Sequence, residues 1–192
     1  MFIKKRIIVD LGVAFVFLPF ILIPIICEMI WKNLFPSMFF EYQEVILFAD
    51  ILYIVLIRFI LLDTMLYLFS HTPHPAHATL IRIVMLYLEI TVVTISYFAL
   101  LFYTFDIFSL FHLSASLPIA NLTTIKEHGF ITAFYISTVT FTTLGSGDWV
   151  PQTINAMLAV NAEAILGVVQ GGVFVAILIY AHQNKISVEG KV

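Results

Sequence analysis

Between the apolar segments 131–141 and 154–180, the chain reads Thr142-Thr143-Leu144-Gly145-Ser146-Gly147-Asp148. Glycine accepts backbone angles that other residues resist, so two glycines one residue apart can turn successive carbonyl groups toward one side. Carbonyl dipoles aligned in this way can replace the hydration shell of a monovalent cation. The alternative is a polar, glycine-rich loop that only connects two membrane helices.

Composition indicates a membrane protein. Of the 192 residues, 61% are hydrophobic and 11% are charged, and the mean hydropathy is +1.06. Soluble domains are about half apolar and about a quarter charged, so this chain is not a soluble globular protein. The single cysteine, Cys27, implies neither a disulfide framework nor a thiolate metal site. The first apolar segment is too long for a cleavable signal peptide, so we expect it to be retained.

Four apolar segments are long enough to cross a bilayer, for which about 20 residues are needed. They cover residues 7–30, 45–69, 80–105 and 154–182. A fifth segment, 130–141, is too short to span and has the length of a re-entrant helix. We therefore divide the chain into an N-terminal pair of transmembrane helices, a pore module and a short tail, at residues 1–79, 80–182 and 183–192.

Prolines and polar residues mark the connections. Pro36 predicts a break within an interfacial connection at 31–44, and Pro151 is a candidate start for the last helix. Residues 106–129 are mixed in composition, and we expect them to lie along the surface.

Basic residues predict the orientation. Six of them fall on one side of the four spans and two, Lys32 and Lys126, on the other; the six are Lys4, Lys5, Arg6, Arg82, Lys185 and Lys191. Cytoplasmic loops carry the excess of basic residues, so both termini are predicted to be cytoplasmic. The re-entrant segment then enters from the outside.

The heptapeptide resembles the selectivity filter of potassium channels, usually written Thr-Val-Gly-Tyr-Gly-Asp. Thr143, Gly145, Gly147 and Asp148 match that pattern, and Leu144 is close to the usual Val or Ile. Together with the four apolar segments, the resemblance implies an all-α membrane protein with four transmembrane helices, a re-entrant pore helix and a filter loop. It also implies a homotetramer in the lipid bilayer, because each chain carries one filter segment and the family's filter needs four.

The resemblance assigns the ion sites as well. It implies that permeant K⁺ binds at carbonyls of Thr143, Leu144, Gly145 and Ser146, and that the Thr143 hydroxyl closes the cavity-side site. No nucleophile is paired with a base, so we expect no enzyme activity, no cofactor beyond the permeant ions and no nucleic-acid partner.

Residues 155–181 are similar to the inner helix of bacterial two-helix pore modules, in which Leu-Ala, Glu-Ala and a glycine recur in this order. This resemblance covers about Phe130–His182 and identifies the third span as the outer pore helix. It implies a bacterial inner membrane and makes Gly167, sixteen residues after Pro151, a candidate gating hinge.

Glu163 lies one helical turn before Gly167, and a carboxylate at that depth is a functional candidate by default. We expect it to brace the filter through a hydroxyl of Thr138, Thr140 or Thr142. The alternatives are a protonated acid packed between helices and a direct contact with the ion.

The filter departs from the family at its outer end. Ser146 replaces the usual aromatic residue, and the pore helix offers Tyr135 and Ile136 where a tryptophan pair is common. Trp149 could supply a substitute brace. A looser outer ring predicts weaker preference for potassium than in a Gly-Tyr-Gly channel.

Further charges lie inside predicted spans. Arg58, Asp63 and Glu89 are expected to neutralise one another as a network. One arginine does not make a voltage sensor, which needs several at regular spacing.

His71, His74 and His77 are three residues apart, but the intervening prolines keep them off a shared helix face. An interfacial turn is the simpler interpretation, and a metal or proton sensor remains open.

We therefore predict a passive, potassium-conducting channel. Two alternatives stay open, a non-selective cation channel of the same architecture and a non-conducting membrane subunit.

Overall fold

A computed structural model describes residues 21–71, 80–114, 128–145 and 147–189 of the chain. Within these residues the protein is mostly helical. Its helices are α1 at 21–34, α2 at Pro36–His71, α3 at Leu80–Thr104, α4 at Ile107–Leu110, α5 at Gly129–Phe141 and α6 at Ile154–Glu189. Two short strands, β1 at Phe111–Leu113 and β2 at Trp149–Pro151, complete the described structure.

The third and fourth predicted spans agree with this architecture. In that part of the chain, Tyr87–Thr104 in α3 and Ile154–Tyr180 in α6 are long and apolar enough to cross a membrane. Helix α5 is apolar but has only 13 residues, as the re-entrant interpretation requires. Neither α1 nor α2 is among these candidates in the described part of the chain, so the first and second spans, and with them the number of four, stay predictions.

Three boundaries differ from the sequence prediction. The connection at 31–44 is helical on both sides of Phe35, because Pro36 opens α2; proline suits a first helical position, where its missing N–H has no partner to lose. Helix α6 begins at Ile154, where the predicted span 154–182 begins, and the candidate start at Pro151 is wrong because Pro151 ends β2. The Thr153 hydroxyl accepts the N–H of Ala156 (3.1 Å) and caps the helix.

The third difference is at the C-terminal end. Helix α6 continues to Glu189, so most of the predicted tail at 183–192 extends the last helix.

The sheet was not predicted. β1 and β2 pair antiparallel, with Phe111 opposite Pro151 and Leu113 opposite Trp149. The segment expected to lie along the surface therefore contributes a helix, α4, and a strand that pairs with the chain just after the filter segment, residues 142–148.

Helix α5 packs against α3 and α6, and α2 packs against α6. The core between them is rich in aromatic side chains of α3, including the fully buried Tyr97, Phe98 and Phe102. The ring of Phe102 meets that of Phe111 on β1 edge to face at 5.0 Å. This core fixes α5, and with it the position where the filter segment begins.

Candidate functional site

The filter segment leaves helical geometry immediately after α5. Thr143, Gly145 and Gly147 have positive φ angles of 58°, 75° and 56°. For a β-branched residue such as Thr143 this conformation is a genuine outlier, and such strain clusters at functional sites. The left-handed residues thus stand at every second position of the segment.

The carbonyl oxygen of Val139 in α5 holds the inner half of the segment. It accepts the backbone N–H groups of Leu144 (3.0 Å) and Gly145 (3.2 Å). In a trans peptide the N–H and C=O groups point in opposite directions. The carbonyls of Thr143 and Leu144 therefore point away from α5, toward a side on which the segment is exposed.

Threonine hydroxyls donate hydrogen bonds to backbone carbonyls where α5 meets the filter segment. The Thr142 hydroxyl donates to the carbonyl oxygen of Thr138 (2.8 Å), and that of Thr143 donates to Thr142 (2.7 Å). The C-terminal end of a helix carries partial negative charge, so α5 ends where a cation is favoured.

Behind the segment, Glu163 of α6 is completely buried. Ser137 of α5 is within hydrogen-bonding distance of its carboxyl group, and the Ser137 hydroxyl also reaches the carbonyl oxygen of Ile95 in α3 (2.8 Å). The partner is therefore Ser137 and none of the three threonines that we expected. This contact ties α3, α5 and α6 together directly below the filter segment.

Gly167 lies against the last residue of α5. A Cβ built on Gly167 would be 2.1 Å from the carbonyl oxygen of Phe141. Only a glycine allows α6 to come this close to the start of the filter segment.

Trp149 is 7% exposed, and its ring meets that of Phe108 edge to face at 5.7 Å. This contact directs the side chain to α4, which lies in the loop between α3 and α5. We call this loop the outer loop. Tyr135, by contrast, lies on an exposed face of α5, with 47% of its surface accessible.

Comparison with known protein families gives one match, which covers residues 43–183 and is described as an ion channel. The match includes well over half of the chain. The protein belongs to this ion channel family. A search of curated proteins and a search of solved structures each returned no significant match.

The match extends the sequence resemblance toward the N terminus, because it includes most of α2 and all of α3. Together with the apolar helices, membership of the family places the channel in a membrane. The cytoplasmic termini and the bacterial inner membrane stay predictions.

Arg58 connects α2 of the channel to its last helix. The guanidinium is almost completely buried and donates a hydrogen bond to the side-chain oxygen of Gln170. The Gln170 amide nitrogen donates in turn to the Thr91 hydroxyl (2.7 Å) and to the Tyr87 carbonyl (3.2 Å) of α3.

The predicted charge network shows no pairing between Arg58 and Glu89 among the described residues, and the pairing of Arg58 with Asp63 is untested. Arg58 bonds to Gln170, whereas a buried oxygen of Glu89 has no partner in the part of the chain that the structure describes. The Asp63 side chain lies outside the described residues.

Two further acids of the channel lie next to each other. The carboxyl group of Glu28 in α1 is close to that of Asp50 in α2. A hydrogen bond between two carboxyl groups requires that one of them carries a proton, because a carboxylate only accepts. The sequence placed Asp50 inside a span but gave no signal for its pairing with Glu28.

No group of three or more metal-binding side chains occurs among the described residues. His74 and His77 and the side chain of His71 lie outside them, as does Ser146, so those predictions stand untested.

Proposed function

We propose that the protein is a passive, homotetrameric channel for monovalent cations that prefers potassium, with residues 142–148 as its selectivity filter. The backbone from Thr143 to Gly145 is the observation that carries this proposal. It combines left-handed angles at alternate residues with two successive N–H groups turned to Val139. This arrangement supports a row of carbonyls from Thr143 to Ser146 on the opposite side.

Permeation then needs no covalent chemistry. A cation exchanges its water for carbonyl oxygens and leaves again because several such sites lie in series. The Thr143 hydroxyl donates its proton to the carbonyl oxygen of Thr142, so the lone pairs of the hydroxyl oxygen are available at the cavity-side site.

Four chains around one axis follow from the single filter segment per chain. Leu144 within the segment is 79% exposed. A large apolar side chain in a segment that lines a water-filled path calls for cover, which neighbouring copies would supply.

The test is a bi-ionic reversal potential, measured on purified protein in a planar bilayer with potassium on one side and sodium on the other. We expect current, a reversal potential displaced toward potassium preference, and the mass of four chains in detergent. A reversal potential near zero favours the non-selective channel. The absence of current through correctly assembled protein favours the non-conducting subunit.

A matched pair of variants links the current to the filter segment. A Cβ at either Gly145 or Gly172 would meet nothing within 4 Å, but only Gly145 has a positive φ. Gly145→Ala should therefore abolish current through backbone strain, whereas Gly172→Ala should conduct. Normal selectivity in Gly145→Ala would exclude this filter.

A further inference from the structure

The two ends of the filter segment are held by different parts of the chain. Val139 of α5 binds the N–H groups of Leu144 and Gly145, near the inner end. At the outer end, the carbonyl oxygen of Asp148 accepts the backbone N–H of Ser114, at 2.6 Å. Ser114 directly follows β1, so the outer end is attached to the loop between α3 and α5.

The attachment continues beyond Asp148. Trp149 opens β2, whose backbone pairs with β1, and the N–H of Gln152 donates to the carbonyl of Leu110 at 2.9 Å. The Trp149 side chain is buried against Phe108 of α4. Main chain and side chain of Trp149 are therefore both fixed by the outer loop.

The outer loop is itself anchored in the core. Phe111 of β1 is 2% exposed and packs on Phe102 of α3. A continuous series of contacts thus runs from α3 through β1 to the residue that follows the filter segment. Tyr135 of α5, the other residue that the sequence offered as a brace, lies on an exposed face of its helix.

We propose that the β1–β2 pair and the Phe108–Trp149 contact set the width of the outer end of the filter, which makes Phe108 and Trp149 positioning residues for ion selectivity. This inference rests on the proposed function. On the cavity-size account of selectivity, a carbonyl ring discriminates against the smaller sodium ion only if the backbone that carries it resists contraction. In this chain the outer loop supplies that resistance from the extracellular side.

The experiment measures the potassium-to-sodium permeability ratio of Trp149→Leu, Phe108→Leu and the double variant. Each single variant should lower the ratio by about two- to tenfold, the range that an aromatic pair contributes. The double variant should lower it no further, because both changes remove the same contact. Trp149→Phe should restore most of the ratio.

Phe130→Leu is the matched control. Its ring also lies on the outer side, 5.9 Å from that of Tyr103, but it belongs to the start of α5 and has no part in the β1–β2 pair. Its permeability ratio should equal that of the unmodified channel. An equal loss in Phe130→Leu would overturn the inference, because any aromatic truncation would then suffice.

A second pair of variants tests the backbone hydrogen bond between Ser114 and Asp148. It replaces the first test if Trp149→Leu does not assemble. Ser114→Pro removes the N–H that binds Asp148, whereas Ser114→Ala removes only the hydroxyl. The permeability ratio should fall in the proline variant alone.

The outcomes separate this inference from the proposed function. A selective unmodified channel whose ratio is unchanged in Ser114→Pro and Phe108→Leu overturns this inference alone. An unmodified channel without potassium preference overturns both.

Discussion

Gly167 of α6 meets the carbonyl oxygen of Phe141 so closely that a Cβ on the glycine would lie 2.1 Å from it. The contact joins the backbone of the last helix to the final residue of α5, directly before the filter segment. A carbonyl oxygen cannot rotate away as the end of a side chain can. Any larger residue at 167 must therefore separate α6 from α5.

Gly167→Ala should destabilise the channel and alter its opening. Alanine improves helix propensity by about 1 kcal/mol, but an overpacked core position costs about 1–3 kcal/mol, and the rigid backbone contact makes the second effect larger. We expect a lower thermal unfolding temperature in detergent and, as the hinge prediction requires, a larger change in open probability than in unitary conductance.

Gly172→Ala is the control for this prediction, because a Cβ there would meet nothing within 4 Å. It should unfold at the same or a higher temperature. If both variants are equally stable and Gly167→Ala changes conductance alone, close packing and hinge bending are both wrong.

Glu163→Gln should be tolerated, whereas Ser137→Ala should not. The Ser137 hydroxyl contacts both the Ile95 carbonyl and the Glu163 carboxyl group, but it has one proton and can donate to only one of them. A glutamine at 163 has an oxygen that can accept this proton and an NH₂ group that can donate to the Ser137 oxygen, so it satisfies either arrangement. Ser137→Ala removes a partner of a buried polar group, which costs about 1–3 kcal/mol.

Thermal unfolding of the assembled channel measures both changes. A Glu163→Gln variant that loses more stability than Ser137→Ala would show that Glu163 is ionised and that the amide cannot replace it.

Arg58→Leu should cost less stability than Gln170→Leu. If Arg58 were paired with an acid, as the charge network expected from the sequence implies, a neutral residue at 58 would leave that acid unpaired and cost on the order of 3 kcal/mol. With Gln170 as the partner, Arg58→Leu leaves one amide oxygen unsatisfied, worth about 1–3 kcal/mol. Gln170→Leu leaves a buried guanidinium without that acceptor, which is the more expensive defect.

The double variant Arg58→Leu/Gln170→Leu should recover part of the loss of Gln170→Leu in the same unfolding measurement. If Arg58→Leu is the more damaging change, its main partner is an acid, and the original expectation of Asp63 or Glu89 is restored.

The sequence predicted the elements of this fold better than their contacts. Apolar runs of characteristic length located α3, α5 and α6, and the paired glycines located the non-helical segment between α5 and α6 that we propose as the filter. Side-chain partners depend on helix rotation, and one residue turns a helix by about 100°, which separates Ser137 from the neighbouring Thr138. Considering only the charged residues inside the predicted spans also missed Gln170 as a partner of Arg58, because the Gln170 side chain is neutral.

The β1–β2 pair could not be predicted, for a different reason. Strands of three residues are too short to show an alternating pattern of apolar and polar side chains. The attachment of Asp148 to Ser114 uses only backbone atoms, which any sequence provides.

The final prediction concerns the degree of selectivity. Ser146 replaces an aromatic residue that, in the family it resembles, braces the carbonyl ring from behind. We expect the unmodified channel to prefer potassium, but less strongly than a Gly-Tyr-Gly channel measured under the same bi-ionic conditions. The absence of any preference would contradict this expectation.

Ser146→Tyr alone should not restore strong selectivity, because an aromatic residue at 146 needs a partner on α5. Ile136, one of the two positions where the family places tryptophan, is completely buried. A tryptophan there would overpack the core, at a cost of about 1–3 kcal/mol or more. Tyr135 is accessible, so Ser146→Tyr/Tyr135→Trp is the variant with the better prospect of a higher permeability ratio. A single Ser146→Tyr channel that reaches the selectivity of a Gly-Tyr-Gly filter would show that the tyrosine needs no such partner, and that the outer ring is loose only because residue 146 is small.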